Sequence, residues 1–153
     1  MPTYFWELKW PNILLNKKKK IAGILVESIS MGISVCINGV GININNYPMI
    51  NNRQIIPSSL LNEGIKITDE QKFFNQLINQ FNDKYKMWLQ DKNFTPIKNA
   101  WLSRAYKLGS EINMKLDGET RRGIFRGIAM DGRLIMQMLN NGDMIYYHNG
   151  ELT

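Results

Sequence analysis

The alternation of apolar and polar side chains predicts strands in the first third of the chain. Residues 4 to 10 alternate with the two-residue period of a β-strand, with Tyr4, Trp6, Leu8 and Trp10 on one side, and Pro11 should end it. Short connections between consecutive strands favour an antiparallel meander. Three further apolar runs form the other strands, separated by the polar stretch Asn16–Lys20 and the small-residue turn Ser28–Gly32: Ile13–Leu15, Ile21–Glu27 and Ile33–Ile37, the last running on to Asn43.

The middle third is predicted to hold a loop and two helices. Periodicity is lost from Asn45 to Ile67, and Thr68–Gln71 then forms a capping box. The helix it starts should run to about residue 89, and Thr95 with Pro96 should start a shorter helix that stops before Gly109. The apolar positions of the first helix recur at helical spacing and are predicted to face the core: Phe74, Leu77, Ile78, Phe81, Tyr85 and Trp88.

The last third changes to short strands joined by tight turns. Asp117-Gly118, Asp131-Gly132 and Asn141-Gly142 are dipeptides that supply positive φ in hairpins. About forty residues of this kind predict a small β-barrel, which has little core of its own and should pack against the preceding part. The fold class is therefore α+β, with domains at 1–107 and 108–153.

Composition bounds the function only loosely. The 153 residues are 44% hydrophobic with a net charge of +6, and the isoelectric point is near 9.5. Clustered basic charge is typical of nucleic-acid partners, but a bias toward Asn, Ile and Lys also follows from AT-rich coding. A non-enzymatic basic β-rich module that binds RNA or a protein partner is therefore one hypothesis, although it lacks interleaved aromatic and basic residues.

Location and redox chemistry are constrained by what the sequence lacks. It has no apolar stretch of eighteen residues and no secretory signal pattern, which predicts a cytoplasmic protein without a membrane partner. Cys36 is the single cysteine, so no disulfide framework or cysteine metal site is expected. Its apolar neighbours predict a buried, inert thiol. His148, the only histidine, is expected to be a packing or surface residue.

Three ordered motifs carry a family resemblance: Lys9-Trp10-Pro11-Asn12, Lys20–Glu27 with the sequence KIAGILVE, and Gly39–Asn43 with the sequence GVGIN. Their order and spacing resemble the biotin protein ligase family. That family also has a Ser-Leu pair further along the chain, which Ser59-Leu60 would match. The resemblance implies a partial class II synthetase-like mixed or antiparallel sheet with helices, followed by a small SH3-like barrel. The C-terminal part of the sequence resembles the SH3-like domain of these ligases at the following residues: Trp101, Leu108-Gly109, Gly127-Ile128, Asp131-Gly132 and Gly150-Glu151.

The resemblance also implies a reaction. Such ligases activate biotin with ATP to biotinyl-AMP and transfer biotin to a lysine in the biotin carboxyl carrier domain of acetyl-CoA carboxylase. Lys20 matches the lysine that stabilises charge developing on the α-phosphate, and it is the candidate catalytic residue. For Lys17–Lys19, a solvated turn is the preferred interpretation.

Substrate-binding residues follow from the same motifs. Lys20, Gly23, Leu25, Gly39 and Gly41 are the candidate biotin-binding residues, because glycines allow a ligand close to the backbone. A bulge or strand twist is the alternative for these glycines. The candidate ATP-binding residues are Lys9, Asn12, Lys20 and Asn43, although an Asn at a strand end is usually a turn former.

Two departures from the family pattern bear on activity. Ile13 stands where the family has an acidic residue, which places the expected Mg²⁺ in doubt, and no metal ligand is assigned. The GRGR biotin loop should precede the first motif, yet the chain begins eight residues before Lys9. The chain is therefore expected to be truncated, without a DNA-binding domain, and inactive or weakly active unless a separately encoded N-terminal half complements it. Arg121, Arg122 and Arg126 form a basic patch that could contact an acidic partner.

Overall fold

The computed structural model describes residues 5–30, 34–48 and 55–153. Within these ranges the chain forms two antiparallel sheets, with two helices between them in the sequence. The predictions made for Tyr4, for the end of the turn at 31–32, for Ile33 and for loop residues 49–54 lie outside the described residues. The α+β class is confirmed.

The first sheet is the predicted antiparallel meander. Its strands are β1 (Trp6–Lys9), β2 (Ile13–Asn16), β3 (Lys19–Ser30) and β4 (Ser34–Ile42), in that order across the sheet. β3 begins two residues before the predicted Ile21, because Lys17 and Lys18 alone form the turn, with φ of 47° and 64°. Two consecutive left-handed residues make the tight turn that suits a two-residue hairpin.

The distal halves of β3 and β4 form a two-stranded ribbon, from Ile24 to Ser30 and from Ser34 to Val40. Successive strand residues point to opposite faces, so apolar residues occur on both faces of this ribbon. Leu25 is 60% exposed on one face and Val26 is 58% exposed on the other. Cys36 is exposed as well, so the predicted buried thiol is wrong. Alternating apolar residues indicate burial only where another element covers them, and within the described residues neither face of the ribbon is covered.

Helix α1 spans Glu70–Asp91 and confirms the prediction of a long helix. Its N-cap is Asp69, whose carboxylate accepts a 2.9 Å hydrogen bond from the Lys72 amide. The predicted capping box is therefore wrong in detail, since the cap is not Thr68 and the Gln71 side chain donates instead to Asn75. Asp is an N-cap as good as Thr, and it lies one residue nearer the helix.

The apolar stripe of α1 is exposed, which corrects the prediction that it faces the core. No residue of the helix is buried, and Phe74 is 53% exposed. Phe81 and Tyr85 stack on one another along the surface with ring centroids 6.0 Å apart. Helical periodicity was correctly recognised, but it identifies an apolar face without saying what covers it.

The second helix and second sheet follow the predicted pattern. Helix α2 spans Thr95–Leu102, and the sheet has strand order β8-β7-β6-β5-β9. Gly118, Gly132 and Gly142 have φ of 83°, 83° and 80°, as the three turn dipeptides predict. The strands are β5 (Glu111–Leu116), β6 (Glu119–Ile128), β7 (Leu134–Met138), β8 (Met144–Tyr147) and β9 (Glu151–Leu152).

The second sheet shares its core with the first part of the chain. Trp10 is 5% exposed and belongs to the same cluster as Phe125 and other buried residues of the second sheet. The Trp10 indole N–H donates to Gly132 O at 3.1 Å, and the Tyr106 amide donates to Leu8 O at 2.9 Å. The predicted packing of the small sheet against the preceding part is confirmed. None of the described helices is long and apolar enough to cross a bilayer.

Candidate functional site

The candidate site has a floor of glycines on β3 and β4. Gly23 is opposite Gly41, and Gly39 is opposite Leu25, so these four residues share one face of the sheet. None of the three glycines has a left-handed φ, and an added Cβ would meet no atom closer than 3.5 Å. The backbone conformation and local space therefore do not require glycine. What glycine provides here is a bare floor on which another molecule can approach the backbone.

Lys20 lies at the edge of this floor. Its Nζ and Cε would both be 3.5 Å from a Cβ placed on Gly23, so the ammonium lies directly beside the glycine. The Lys20 amide donates to Ile56 O and its carbonyl accepts from the Ser58 amide, both at 2.9 Å. These two bonds fix the Lys20 backbone on the side away from β2. The structure thus brings Lys20 next to Gly23, one of the predicted biotin-binding glycines.

An open cleft of about 520 Å³ lies over the floor. Its lining includes six of the predicted site residues, namely Asn12, Lys20, Gly23, Leu25, Gly39 and Gly41. The sequence prediction missed three apolar residues that also line it, which are Ile13, Ile24 and Val40. A lysine ammonium over a bare backbone, with apolar residues around it, suits a ligand that carries an anionic group and an apolar ring.

Asn12 and Asn43 both hold backbone in place. The Asn12 side-chain amide donates to Ile24 O, while the Ile24 amide donates to Asn12 O at 2.9 Å. Asn43 Nδ2 donates to Ser58 O at 2.9 Å and to Lys20 O at 3.4 Å. Asn12 lines the cleft, whereas Asn43 is not among the lining residues. The role predicted for Asn43 toward an adenylate stays a prediction, and the contacts observed are structural.

Lys9 is buried in the first sheet, with 4% of its surface exposed. It pairs with Ile13, which pairs with Gly23, so Lys9 belongs to the same cross-strand row as the glycine floor. Burial lowers the pKa of Lys9, and the negative charge of Glu151 partly opposes that shift. Glu151 belongs to β9, so the second sheet contributes directly to the electrostatics beside the cleft.

Comparison with known proteins agrees with this arrangement. Residues 107–151 match the sequence profile of the biotin protein ligase C-terminal domain. The biotin–acetyl-CoA-carboxylase ligase of Paracoccus denitrificans is 33% identical over 135 residues, which cover 85% of this chain and 56% of the relative. The corresponding ligase of Mycobacterium tuberculosis is 28% identical, with 91% and 52% covered. Residues 107–151 thus match the C-terminal domain of biotin protein ligases, and most of the chain is similar in sequence to such ligases.

The fold is also similar to that of a biotin protein ligase. The structure of the Aquifex aeolicus biotin protein ligase in complex with biotin and ATP matches 97% of this chain with a TM-score of 0.77, at 21% identity. The present chain corresponds to 62% of that chain. It spans about half the length of the curated relatives, 56% and 52% for the two above.

The cleft residues do not suit a magnesium site formed by the protein. Mg²⁺ prefers carboxylate ligands, and the described lining of the cleft offers one asparagine amide, a lysine and otherwise glycines and apolar side chains. Ile13 occupies the lining where the family resemblance implies an acidic residue. Among the described residues no group of three or more His, Cys, Asp or Glu side chains could hold a metal ion.

The basic patch predicted on the second sheet is largely paired. Arg121 bonds to Glu119 at 3.1 Å, Arg122 bonds to Glu111, and Arg126 donates to Gln137 at 2.9 and 2.7 Å. His148 is exposed, in agreement with a packing or surface role. Because the arginines already have partners, this surface gives no particular support to nucleic-acid binding.

Sequence reasoning also missed two residues of the loop that follows β4. The Ser58 amide donates to Lys20 O, and Glu63 forms an ion pair with Lys19, the neighbour of Lys20. Some forty residues separate the partners in the sequence. No periodic signal marks them, because the loop has none. The only available indication was that Ser59-Leu60 matches a family pair next to Ser58.

Proposed function

We propose that this chain binds biotinyl-adenylate in the cleft over Gly23, Gly39 and Gly41, as part of a biotin protein ligase. The complete reaction activates biotin with ATP and transfers it to a lysine of the biotin carboxyl carrier domain of acetyl-CoA carboxylase. The observation that carries the proposal is the Lys20 ammonium, which lies beside a glycine floor whose backbone does not itself need glycine.

Lys20 has the chemistry that adenylation requires. When the biotin carboxylate attacks the α-phosphate, negative charge increases on the phosphate oxygens. An ammonium fixed beside that phosphorus stabilises the transition state more than the ground state, which lowers the barrier. The backbone bonds from Lys20 to Ile56 and Ser58 keep its Cα in place while the side chain reaches the phosphate. The apolar lining, including Leu25 and Val40, would then contact the rings of the ligand.

The cleft by itself offers little protection from water. It is open, and Leu25 on its rim is 60% exposed. A mixed anhydride such as biotinyl-AMP needs exclusion of water to survive until transfer. We therefore expect these 153 residues alone to bind the adenylate better than they transfer biotin.

The exposed apolar surface of the ribbon and of α1 supports a requirement for more protein. Ile24, Val26, Leu25 and Phe81 are all 44% exposed or more. Several large apolar side chains exposed on one element, as on the ribbon and on α1, are characteristic of interfaces. We propose that it is covered by the part of the family's polypeptide that this chain does not span, including a GRGR-containing segment, whether that part is joined to this chain or encoded separately.

Binding of a non-hydrolysable biotinyl-adenylate analogue, measured by titration calorimetry, tests the proposal. Lys20→Ala should weaken binding at least about tenfold, since a charge-assisted hydrogen bond contributes roughly 1.5–3 kcal/mol. Lys18→Ala is the matched control, because it removes the same charge from the turn two residues away and should bind normally. Equal affinities for Lys20→Ala and the unaltered chain would refute the role of Lys20.

Transfer of labelled biotin to a purified carrier domain, with ATP and Mg²⁺, tests the complete reaction. The chain alone should give little or no transfer, and addition of the remaining family polypeptide should restore it. Robust transfer by the chain alone would show that the open cleft is sufficient, and transfer unaffected by Lys20→Ala would exclude Lys20 from the chemistry.

A further inference from the structure

A buried carboxylate lies beside the candidate site without lining the cleft. The side chain of Glu63 is 3% exposed, and its Oε1 accepts from Lys19 Nζ at 2.9 Å and from Ser58 Oγ at 2.7 Å. Both bonds lower the pKa of Glu63, with the bond from Lys19 contributing most. Lys19 is the residue immediately before Lys20, and Ser58 donates its amide to Lys20 O.

The backbone around Lys20 forms a small parallel bridge. Lys20 pairs with Pro57, the Lys20 amide donates to Ile56 O, and the Ser58 amide donates to Lys20 O, both at 2.9 Å. We call this bridge the Lys20 clamp. Asn43 Nδ2, which donates to Ser58 O and to Lys20 O, reinforces these two backbone bonds, but pairing at a single residue is a weak form of β-pairing.

Glu63 joins the two sides of the clamp. Its carboxylate bonds to Lys19 on the β3 side and to Ser58 on the loop side, so it closes a connection around the bridge. Glu63 is itself held in a short turn, in which its amide donates to Ser59 O and Leu60 O at 3.1 Å. A charged carboxylate is costly to bury. Here its two described partners are Lys19, the residue before Lys20, and Ser58, whose amide donates to Lys20 O.

We infer that Glu63 is a positioning residue that fixes the Lys20 clamp and thereby places the Lys20 ammonium over Gly23. The inference deepens the proposed function and rests on it, since Lys20 matters as the phosphate-binding group. Displacement of a charged group by about 1 Å can cost a hundredfold in rate, so a loosened clamp weakens the interaction with phosphate even when the ammonium is present.

Glu63→Gln tests this inference because it keeps the size of the side chain and removes its charge. Affinity for the non-hydrolysable biotinyl-adenylate analogue should fall about tenfold, a change that corresponds to about 1.4 kcal/mol. Hydrogen exchange of the Lys20 and Ser58 amides should accelerate, while the Tyr106 amide, bonded to Leu8 O, should exchange as before. Asp83→Asn, on the exposed surface of α1, is the matched control and should change neither measurement.

A double-mutant cycle separates positioning from general stabilisation. Lys19→Gln and Glu63→Gln should each weaken analogue binding, and the double variant should be no weaker than either, because both act through one ion pair. Additive losses, or a lower melting temperature with unchanged affinity, would overturn the positioning role. A further test is Ser58→Ala, which should produce part of the Glu63→Gln effect.

The outcomes distinguish this inference from the proposed function. If Lys20→Ala loses binding while Glu63→Gln binds as the unaltered chain does, the positioning role is wrong and the proposed function stands. If the unaltered chain does not bind the analogue, the proposed function fails, and exchange at Lys20 and Ser58 still decides whether Glu63 holds the clamp. Unchanged exchange in Glu63→Gln would overturn the inference in either case.

Discussion

Replacing Gly41 by alanine should separate ligand binding from folding. A Cβ at Gly41 would lie 4.0 Å from Gly23 O with no other neighbouring heavy atom so close, and the backbone there is not left-handed. Alanine at such a position reduces the conformational entropy of the unfolded chain and stabilises by about 0.4–1 kcal/mol. Unfolding in urea should therefore show a gain of that size, which corresponds to a melting temperature about 1–4 °C higher.

The same methyl group should impair the cleft. It would stand on the floor between Gly23 and Gly39, where the proposed ligand contacts the backbone. Forcing extra carbon atoms into a fitted contact costs about 1–3 kcal/mol, which is about a 5- to 150-fold loss of affinity for the biotinyl-adenylate analogue. Gly41→Val, which adds two more methyl groups, should reduce binding further while keeping the fold.

Gly118→Ala is the contrasting control. Gly118 has a φ of +83° at the tip of the β5–β6 hairpin, and a Cβ there would meet no atom within 4 Å. Alanine in the left-handed region costs about 1–2 kcal/mol, so this variant should lose stability and bind the analogue normally. If Gly41→Ala lost as much stability as Gly118→Ala, or bound the analogue unchanged, the assignment of Gly41 to a ligand-binding floor would be refuted.

Three further changes test the packing. Trp10→Ala should cost about 3–5 kcal/mol in urea unfolding, since it removes a buried side chain from the core of the second sheet, and a loss below about 1 kcal/mol would contradict the place of Trp10 in that core. The lowered pKa of Lys9 means that its charge destabilises the fold at neutral pH and that stability rises as pH increases toward 10.5. Lys9→Met should remove this rise in urea unfolding and stabilise the fold at pH 7, because Glu151 opposes the effect of burial only in part. Phe81→Ser with Trp88→Ser should alter stability by only about 0.5 kcal/mol, and reduced self-association in sedimentation would confirm their exposure.

Features that depend on near neighbours in sequence could be predicted well. The alternation of apolar and polar residues predicted the strands of the first sheet, and dipeptides such as Asp117-Gly118 predicted the hairpins of the second. The pairing of Gly23 with Gly41 was also predictable, because consecutive antiparallel strands lie side by side once their connection is short. These parts of the site follow from local pattern and from topology.

Burial could not be predicted in the same way, because it depends on what packs against an element. Alternation places Lys9 and Trp10 on opposite sides of a strand, yet both are buried, since Trp10 follows the end of β1 and joins the second core. The stripe on α1 and Cys36 on β4 have the pattern of buried residues and are exposed. Pattern defines an apolar face, and a separate element must supply its cover.

The Lys20 clamp also brings together residues that lie some forty positions apart in the sequence. The backbone of Lys20 is fixed by Ile56 and Ser58, but its ammonium ends a chain of four methylene groups that these backbone bonds do not hold. Ordering a lysine side chain costs up to about 2 kcal/mol, which backbone bonds cannot supply. The clamp therefore prepares the position from which the ammonium reaches the cleft, and the bound phosphate has to order the side chain itself.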